Sequence, residues 1–139
     1  MVGYDEIILS IVAFIGSAGI IGASLTYFFD KRKQIKFSEQ KEKEKRYLAI
    51  VIQMRIVVEP DQMKYVKHLR PDLVTLEDWK NEVRAEWFNL LLFASDDVIK
   101  SLKEFIIKPE NATYAKTVIA MRKDLWNKKT SLKPEEINL

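Results

Sequence analysis

The chain contains no cysteine and a single histidine among its 139 residues. Without thiols it can form no disulfide, no iron–sulfur cluster and no thiolate zinc site. One imidazole cannot provide the several histidine ligands of a common metal site. His68 also stands between the basic residues Lys67 and Arg70, which favours a solvated side chain. We therefore predict that the protein holds no metal and no cofactor.

Glycine is scarce as well, with four residues in the chain and none after Gly22. Loops that bind phosphate through their backbone need glycine, and the catalytic motifs HExxH and GxSxG do not occur either. Asp96 and Asp97 form a carboxylate pair, but they follow a predicted helix cap at Ser95, where acids complement the helix dipole. We therefore expect no enzymatic activity and no small-molecule substrate.

Charge is missing altogether from Ile7 to Phe29, a run of 23 residues. As a helix this run would measure about 34 Å, enough to cross the roughly 30 Å hydrocarbon core of a bilayer. A signal peptide would need a basic start and a shorter apolar run, and a core helix in a small protein is rarely apolar on every face. Residues 7–29 are therefore predicted to be a transmembrane helix.

The charges that flank this run predict its orientation in the cell membrane. Asp5 and Glu6 precede it, whereas basic residues follow it, and basic flanks mark the cytoplasmic side. Residues 1–6 are therefore expected outside the cell and the C-terminal domain in the cytoplasm. The residues expected to contact lipid headgroups are Lys31, Arg32, Lys33 and Lys36.

Small side chains recur at spacings of three and four within the predicted span. Such a face lets two membrane helices approach closely, so it predicts a homo-oligomer or a subunit of a membrane complex. Small residues are also common in membrane helices that pack against nothing, and the sequence leaves both interpretations open. The predicted packing residues are Gly16, Gly19, Gly22, Ala23 and Thr26.

Residues 30–46 form a charged connector with eight basic and four acidic residues. Its lysine and glutamate spacing, without glycine or proline, predicts that the membrane helix continues as an exposed helix into the cytoplasm. The positive charge suits anionic lipid as a partner. The rest of the chain is nearly neutral, which argues against nucleic-acid binding.

Residues 47–139 are predicted to form a cytosolic helical bundle. The apolar run Tyr47–Val58 favours a helix, although its β-branched residues also allow a strand, and Pro60–Thr75 favours a loop with at most one helical turn. Three further helices are predicted from Thr75 or Leu76 to about Phe93, from Ser95 to Pro109, and from Glu110 to about Trp126. Packed on the end of the long helix they give a four-helix arrangement, and the fold class is all-α.

Two segments near the C-terminus carry a family resemblance. These are ASDDVIKSLKEF from Ala94 to Phe105 and AMRKDLWNKKTSLKPEEI from Ala120 to Ile137. With the layout of the chain, they resemble small uncharacterised prokaryotic proteins that have one N-terminal transmembrane helix and a helical cytosolic domain. The resemblance implies this architecture and no catalytic residue.

The expected function is that of a single-pass membrane protein whose cytosolic bundle recruits a partner or self-associates. Two alternatives stay open on the sequence. The chain could be an accessory subunit of a larger membrane complex, or a membrane-targeted effector or defence protein.

Overall fold

The structure, a computed structural model, describes residues 22–126 and 130–138, and for residues 4–21 the helical backbone alone. All regular secondary structure in this part of the chain is helical, which confirms the predicted all-α class. Five α-helices follow one another: α1 Tyr4–Val58, α2 Met63–Val66, α3 Leu76–Leu90, α4 Asp96–Ile107 and α5 Asn111–Trp126. Two short 3-10 helices cover Pro60–Gln62 and Pro134–Glu136.

The chain divides into two compact units, Met1–Lys41 and Glu42–Leu139. The first unit consists of the N-terminal part of α1. The second unit holds the rest of α1 together with α2 to α5, and α4 packs most extensively on α5 and then on α3. The division falls inside the charged segment 30–46.

Helix α1 runs through both apolar segments of the N-terminal half without a break. No glycine or proline occurs between Ala23 and Glu59, so nothing in the sequence interrupts the backbone hydrogen bonds. Tyr47–Val58 is therefore helix and not strand, as its lack of a pairing strand predicted. The helix ends before Pro60, and the Glu59 amide still donates to the Arg55 carbonyl at 2.8 Å.

Within residues 22–126 and 130–138, no helix offers an apolar stretch long enough to cross a membrane. The greater part of the predicted span Ile7–Phe29, residues 7–21, lies outside these residues. The described residues of the span, from Gly22 onward, are helical and exposed.

Side-chain caps begin α3 and α4 at the predicted places. The Thr75 hydroxyl accepts from the Asp78 amide at 3.2 Å, and the Asp78 carboxylate accepts from the Thr75 amide at 2.9 Å. These two bonds form a capping box, which satisfies amide groups that no helical carbonyl can reach. Ser95 caps α4 by accepting from the Val98 amide.

Helix α3 ends at Leu90, three residues before the predicted end at Phe93. The amides of Phe93 and Ala94 both donate to the Leu90 carbonyl, which closes the helix in a tight turn. Because Ser95 must adopt an extended backbone to cap α4, the chain has to leave helical geometry before it. This turn decides which apolar residues face the core.

The core of the second unit lies where α1, α3, α4 and α5 meet. The helical period of Tyr47–Val58 places Tyr47, Val51, Met54 and Val58 on one face; Tyr47 and Met54 are buried, whereas Val51 and Val58 are only half-buried. Ile50, Ile56 and Val57 are buried as well, so the buried arc of α1 is wider than a single stripe. The other large buried side chains are Trp79, Val83, Leu90, Val98, Leu102, Phe105, Tyr114 and Met121.

The segment Pro60–Thr75 contains more helix than the single turn predicted. A 3-10 turn leads directly into α2, and Leu73 is buried farther along the segment. Arg70 holds the loop by bonding Asp72 at 2.8 Å and Glu82 of α3 at 3.0 Å. The Arg70 guanidinium lowers the pKa of the Asp72 carboxyl below its ordinary value.

Candidate functional site

One carboxylate oxygen, Oδ2 of Asp124, collects three donors at one end of the bundle. The Lys43 ammonium lies 3.1 Å away and the Ser95 backbone amide 3.3 Å away. The Tyr47 hydroxyl donates to the same oxygen. We call these four residues the Asp124 junction. It joins α1, the cap of α4 and the last turns of α5 at the end of the bundle where α1 enters.

The Asp124 junction stabilises a carboxylate that lies in an electrostatically unfavourable position. A carboxylate near the C-terminus of a helix faces the negative end of the helix dipole, which is unfavourable by about 0.3–1 kcal/mol. The Asp124 side chain is also only 13% exposed, so little water solvates its charge. The Lys43 cation and the two neutral donors replace that solvation. The arrangement is therefore a structural tie rather than a proton-transfer site.

The Tyr47 hydroxyl is held in its neutral form. Burial of the ring raises the pKa of Tyr47 far above its ordinary value near 10, and the hydrogen bond to Asp124 and the charge of that carboxylate raise it further. The tyrosine therefore remains a hydrogen-bond donor at any physiological pH.

We expect this pKa to appear as a loss of stability at high pH. Above pH 10 the unfolded chain releases the Tyr47 proton while the folded chain retains it, so the free energy of unfolding falls by about 1.4 kcal/mol per pH unit. Tyr47→Phe should remove this part of the slope in denaturation curves recorded between pH 8 and 11. The control Tyr65→Phe, at an exposed ring, should keep it. Equal slopes in Tyr47→Phe and the parent chain would contradict the assignment.

The turn between α3 and α4 exposes apolar side chains at the same end of the bundle. Leu92 is 92% exposed and Phe88 is 65% exposed, while Leu91 and Phe93 are 44% and 39% exposed. We call these four residues the apolar tip. Taking roughly 200 Å² for a fully exposed large side chain, they present about 480 Å² of surface. A patch of this size on a monomer often has a function.

The apolar tip is held in a fixed shape. Leu90 is fully buried beneath it, and its carbonyl accepts from the amides of Phe93 and Ala94 at 3.2 and 2.9 Å. The Trp87 indole donates to the Ile99 carbonyl at 3.0 Å and meets the Phe88 ring edge-on at 5.1 Å. The exposed side chains are therefore presented by a turn that is bonded on both sides.

Charges of both signs surround the apolar tip. The Arg46 guanidinium lies 5.7 Å from the centre of the Phe93 ring and 3.5 Å from Glu86. Asp96 and Asp97 are exposed at the start of α4. Exposed basic residues also lie on the last turns of α5, which the bond from Ser95 to Asp124 places at the same end; they are Arg122 and Lys123.

The structure tests the predicted site residues unequally. Gly16 and Gly19 lie outside the residues whose surroundings the structure describes. At Gly22 a methyl group would meet nothing within 4 Å, so no part of the described chain packs there. Ala23 and Thr26 are exposed, and the Thr26 hydroxyl donates to the Gly22 carbonyl at 3.0 Å. The predicted headgroup-binding residues are likewise exposed: Lys31, Arg32, Lys33 and Lys36.

Sequence analysis missed both features of this end of the bundle. In the sequence, Asp124 is one member of a charged run near the end of α5, which does not indicate a buried junction. The helical period of α3 places Leu91 on the core face, and it is exposed instead. The run of four apolar residues from 90 to 93, placed just before a cap, was the available signal for the apolar tip.

The described residues offer little for small-ligand chemistry. No three acidic or histidine side chains among residues 22–126 and 130–138 are grouped so that they could hold a metal ion. A cavity of about 20 Å³ lies beside Val57, Val83 and Phe105, room for one water molecule. The exposed surface therefore offers more for binding than any concave site described here.

Comparison of the chain with protein-family models, curated proteins and solved structures finds no match.

Proposed function

We propose that the protein is a single-pass membrane-anchored interaction protein whose helical bundle works at the cytoplasmic face of the membrane. The observation that carries the proposal is the uncharged run from Ile7 to Phe29 at the start of α1. The same helix continues, without glycine or proline, to the buried residues Tyr47 and Met54. An anchor and a bundle that share one helix suit a protein that holds a surface next to a membrane.

Three properties support binding rather than catalysis as the task of the bundle. Its buried polar junction at Asp124 is occupied by internal donors. In the connector that precedes the bundle, the basic residues Lys31, Arg32 and Lys33 favour anionic headgroups next to the span. The apolar tip of the bundle exposes four large apolar side chains to solvent. The proposed partners are membrane lipid through the basic residues and protein through the tip.

The anchoring is tested by placing one charge inside the span. Ile15→Asp puts a carboxylate near the centre of residues 7–29, where hydrocarbon cannot solvate it. We expect the parent chain to stay with the membrane pellet after alkaline carbonate washing and the Ile15→Asp chain to move largely into the supernatant. The readout is the fraction in the pellet, measured by immunoblotting.

The control adds the same charge to the same helix outside the span. Gln34→Asp lies in the exposed connector, so the variant should remain in the pellet. Recovery of the parent chain in the supernatant would overturn the anchoring. Identical pellet fractions for Ile15→Asp and Gln34→Asp would show that residues 7–29 are not surrounded by lipid.

A further inference from the structure

We propose that the apolar tip pairs with the apolar tip of a second copy of this chain, an inference that rests on the membrane anchoring proposed above. The exposed parts of four apolar side chains contribute nothing to the stability of their own bundle. These residues are Phe88, Leu91, Leu92 and Phe93. A partner that covers this area removes it from water, which favours association. The charged residues around the tip indicate which partner would cover it.

The charges around the tip favour a second copy over an anionic membrane. Arg46 beside the Phe93 ring and the exposed Arg122 and Lys123 make part of the rim basic, whereas Asp96 and Asp97 are exposed at the start of α4. An anionic bilayer would attract the basic residues but repel both aspartates, whereas a second copy offers partners to both signs. Under a two-fold axis, the basic side of one rim can face the acidic side of the other. A rim with both signs is therefore complementary to itself, as a symmetric dimer requires.

The size of the tip explains why pairing would depend on the membrane. A stable interface in solution buries about 800 Å² on each partner, and the tip presents about 60% of that area. Two copies inserted in the same orientation in one membrane carry their tips on the same side of it. Confinement raises the effective concentration, so a contact too weak in solution becomes populated.

The tip is also suited to pairing because it is already ordered. Its turn is closed by the hydrogen bonds to the Leu90 carbonyl and by the Trp87 indole bond to Ile99. Little backbone entropy is therefore lost when the tip is covered, and the remaining ordering cost is that of the exposed side chains themselves. A loop that had to fold on contact would lose backbone entropy as well.

The absence of cysteine allows a direct test by single-cysteine crosslinking. The full-length Leu92→Cys chain is purified and reconstituted in vesicles of phosphatidylcholine and phosphatidylglycerol, and a mild oxidant is added. The matched control is Ile107→Cys, which replaces another aliphatic residue, 73% exposed, at the far end of α4. Leu92 is the most exposed residue of the small tip, so a two-fold contact centred on the tip brings the two copies of this residue close to the axis, and we expect at least about fivefold more disulfide dimer from Leu92→Cys.

A second substitution tests whether the disulfide dimer forms through contact of the tips or through random collision of the chains. Phe88→Asp in the Leu92→Cys chain removes apolar area and adds a charge at the proposed interface, so the dimer yield should fall to that of Ile107→Cys. Phe88 is 65% exposed, so its replacement should leave the bundle folded, which circular dichroism checks. Equal dimer yields from Leu92→Cys and Ile107→Cys would overturn the pairing.

Two further outcomes are distinguishable. If the chain resists carbonate washing but Leu92→Cys forms no excess dimer, the pairing is wrong and the anchoring stands. If carbonate releases the chain, the anchoring is wrong and the pairing falls with it. An environment-sensitive fluorophore attached to the Leu92→Cys chain gives a third readout. If its emission shifts to the blue as the phosphatidylglycerol content rises, and no dimer forms, lipid covers the tip and the proposal is overturned.

Discussion

Replacing Phe105 by alanine is expected to lower the free energy of unfolding by about 4 kcal/mol. The ring is 1% exposed and lies beside Val57 of α1 and Val83 of α3, so it joins three helices. Truncation removes the transfer free energy of the ring and leaves a void beside a cavity that already exists. Helices on three sides cannot all move inward to fill it. Chemical denaturation followed by tryptophan fluorescence measures the loss.

The matched control for this prediction is two residues away in the same helix. Ile107→Ala truncates a side chain that is 73% exposed, so the free energy of unfolding should change by no more than about 0.5 kcal/mol. Similar losses for Phe105→Ala and Ile107→Ala would mean that α4 presents a different face to the core.

Replacing Asp124 by alanine is expected to cost about 3 kcal/mol of stability. The substitution leaves the buried Tyr47 hydroxyl and the Ser95 amide without an acceptor, and it leaves Lys43 without its counter-ion. Asp124→Asn should cost less, because an amide oxygen still accepts from the two neutral donors. The order of stability, Asp, then Asn, then Ala, is the result that identifies the junction as the cause.

A surface ion pair is the control for Asp124. Lys116 and Glu104 lie 2.8 Å apart, but both side chains are at least half exposed. Such pairs contribute about 0–1 kcal/mol because water and salt screen them. Glu104→Ala should therefore be nearly neutral. A cost for Asp124→Ala no greater than that for Glu104→Ala would show that the junction does not tie the helices together.

The sequence predicted local features well because their causes are local. Thr75 with Asp78, and Ser95 before an apolar helix, identify helix starts through atoms at most three residues apart. Pro60 identifies the end of α1 by removing an amide. The helical conformation of Tyr47–Val58 was also predicted, because the sequence contains no clear second strand that could pair with this segment. Each of these inferences needed only neighbouring residues.

The Asp124 junction could not be predicted in this way. Its donors come from residues 81, 77 and 29 positions away along the chain. Spacing on one helix says nothing about such convergence, and a charged residue in a last helix turn is usually solvated. The apolar tip was missed for a related reason. Helix period assigned Leu91 to the core, but the turn at Leu90 ended the helix and changed the direction of the next three side chains.

The long separation between Tyr47 and Asp124 has a consequence for synthesis on the ribosome. The apolar side of α1 is translated 77 residues before the carboxylate that secures it. At roughly 5–20 residues per second, this gap lasts about 4–15 s. Throughout that time the Ile50 and Met54 side chains of the nascent polypeptide are not yet covered by the complete bundle. A chaperone therefore has a defined interval in which to shield them.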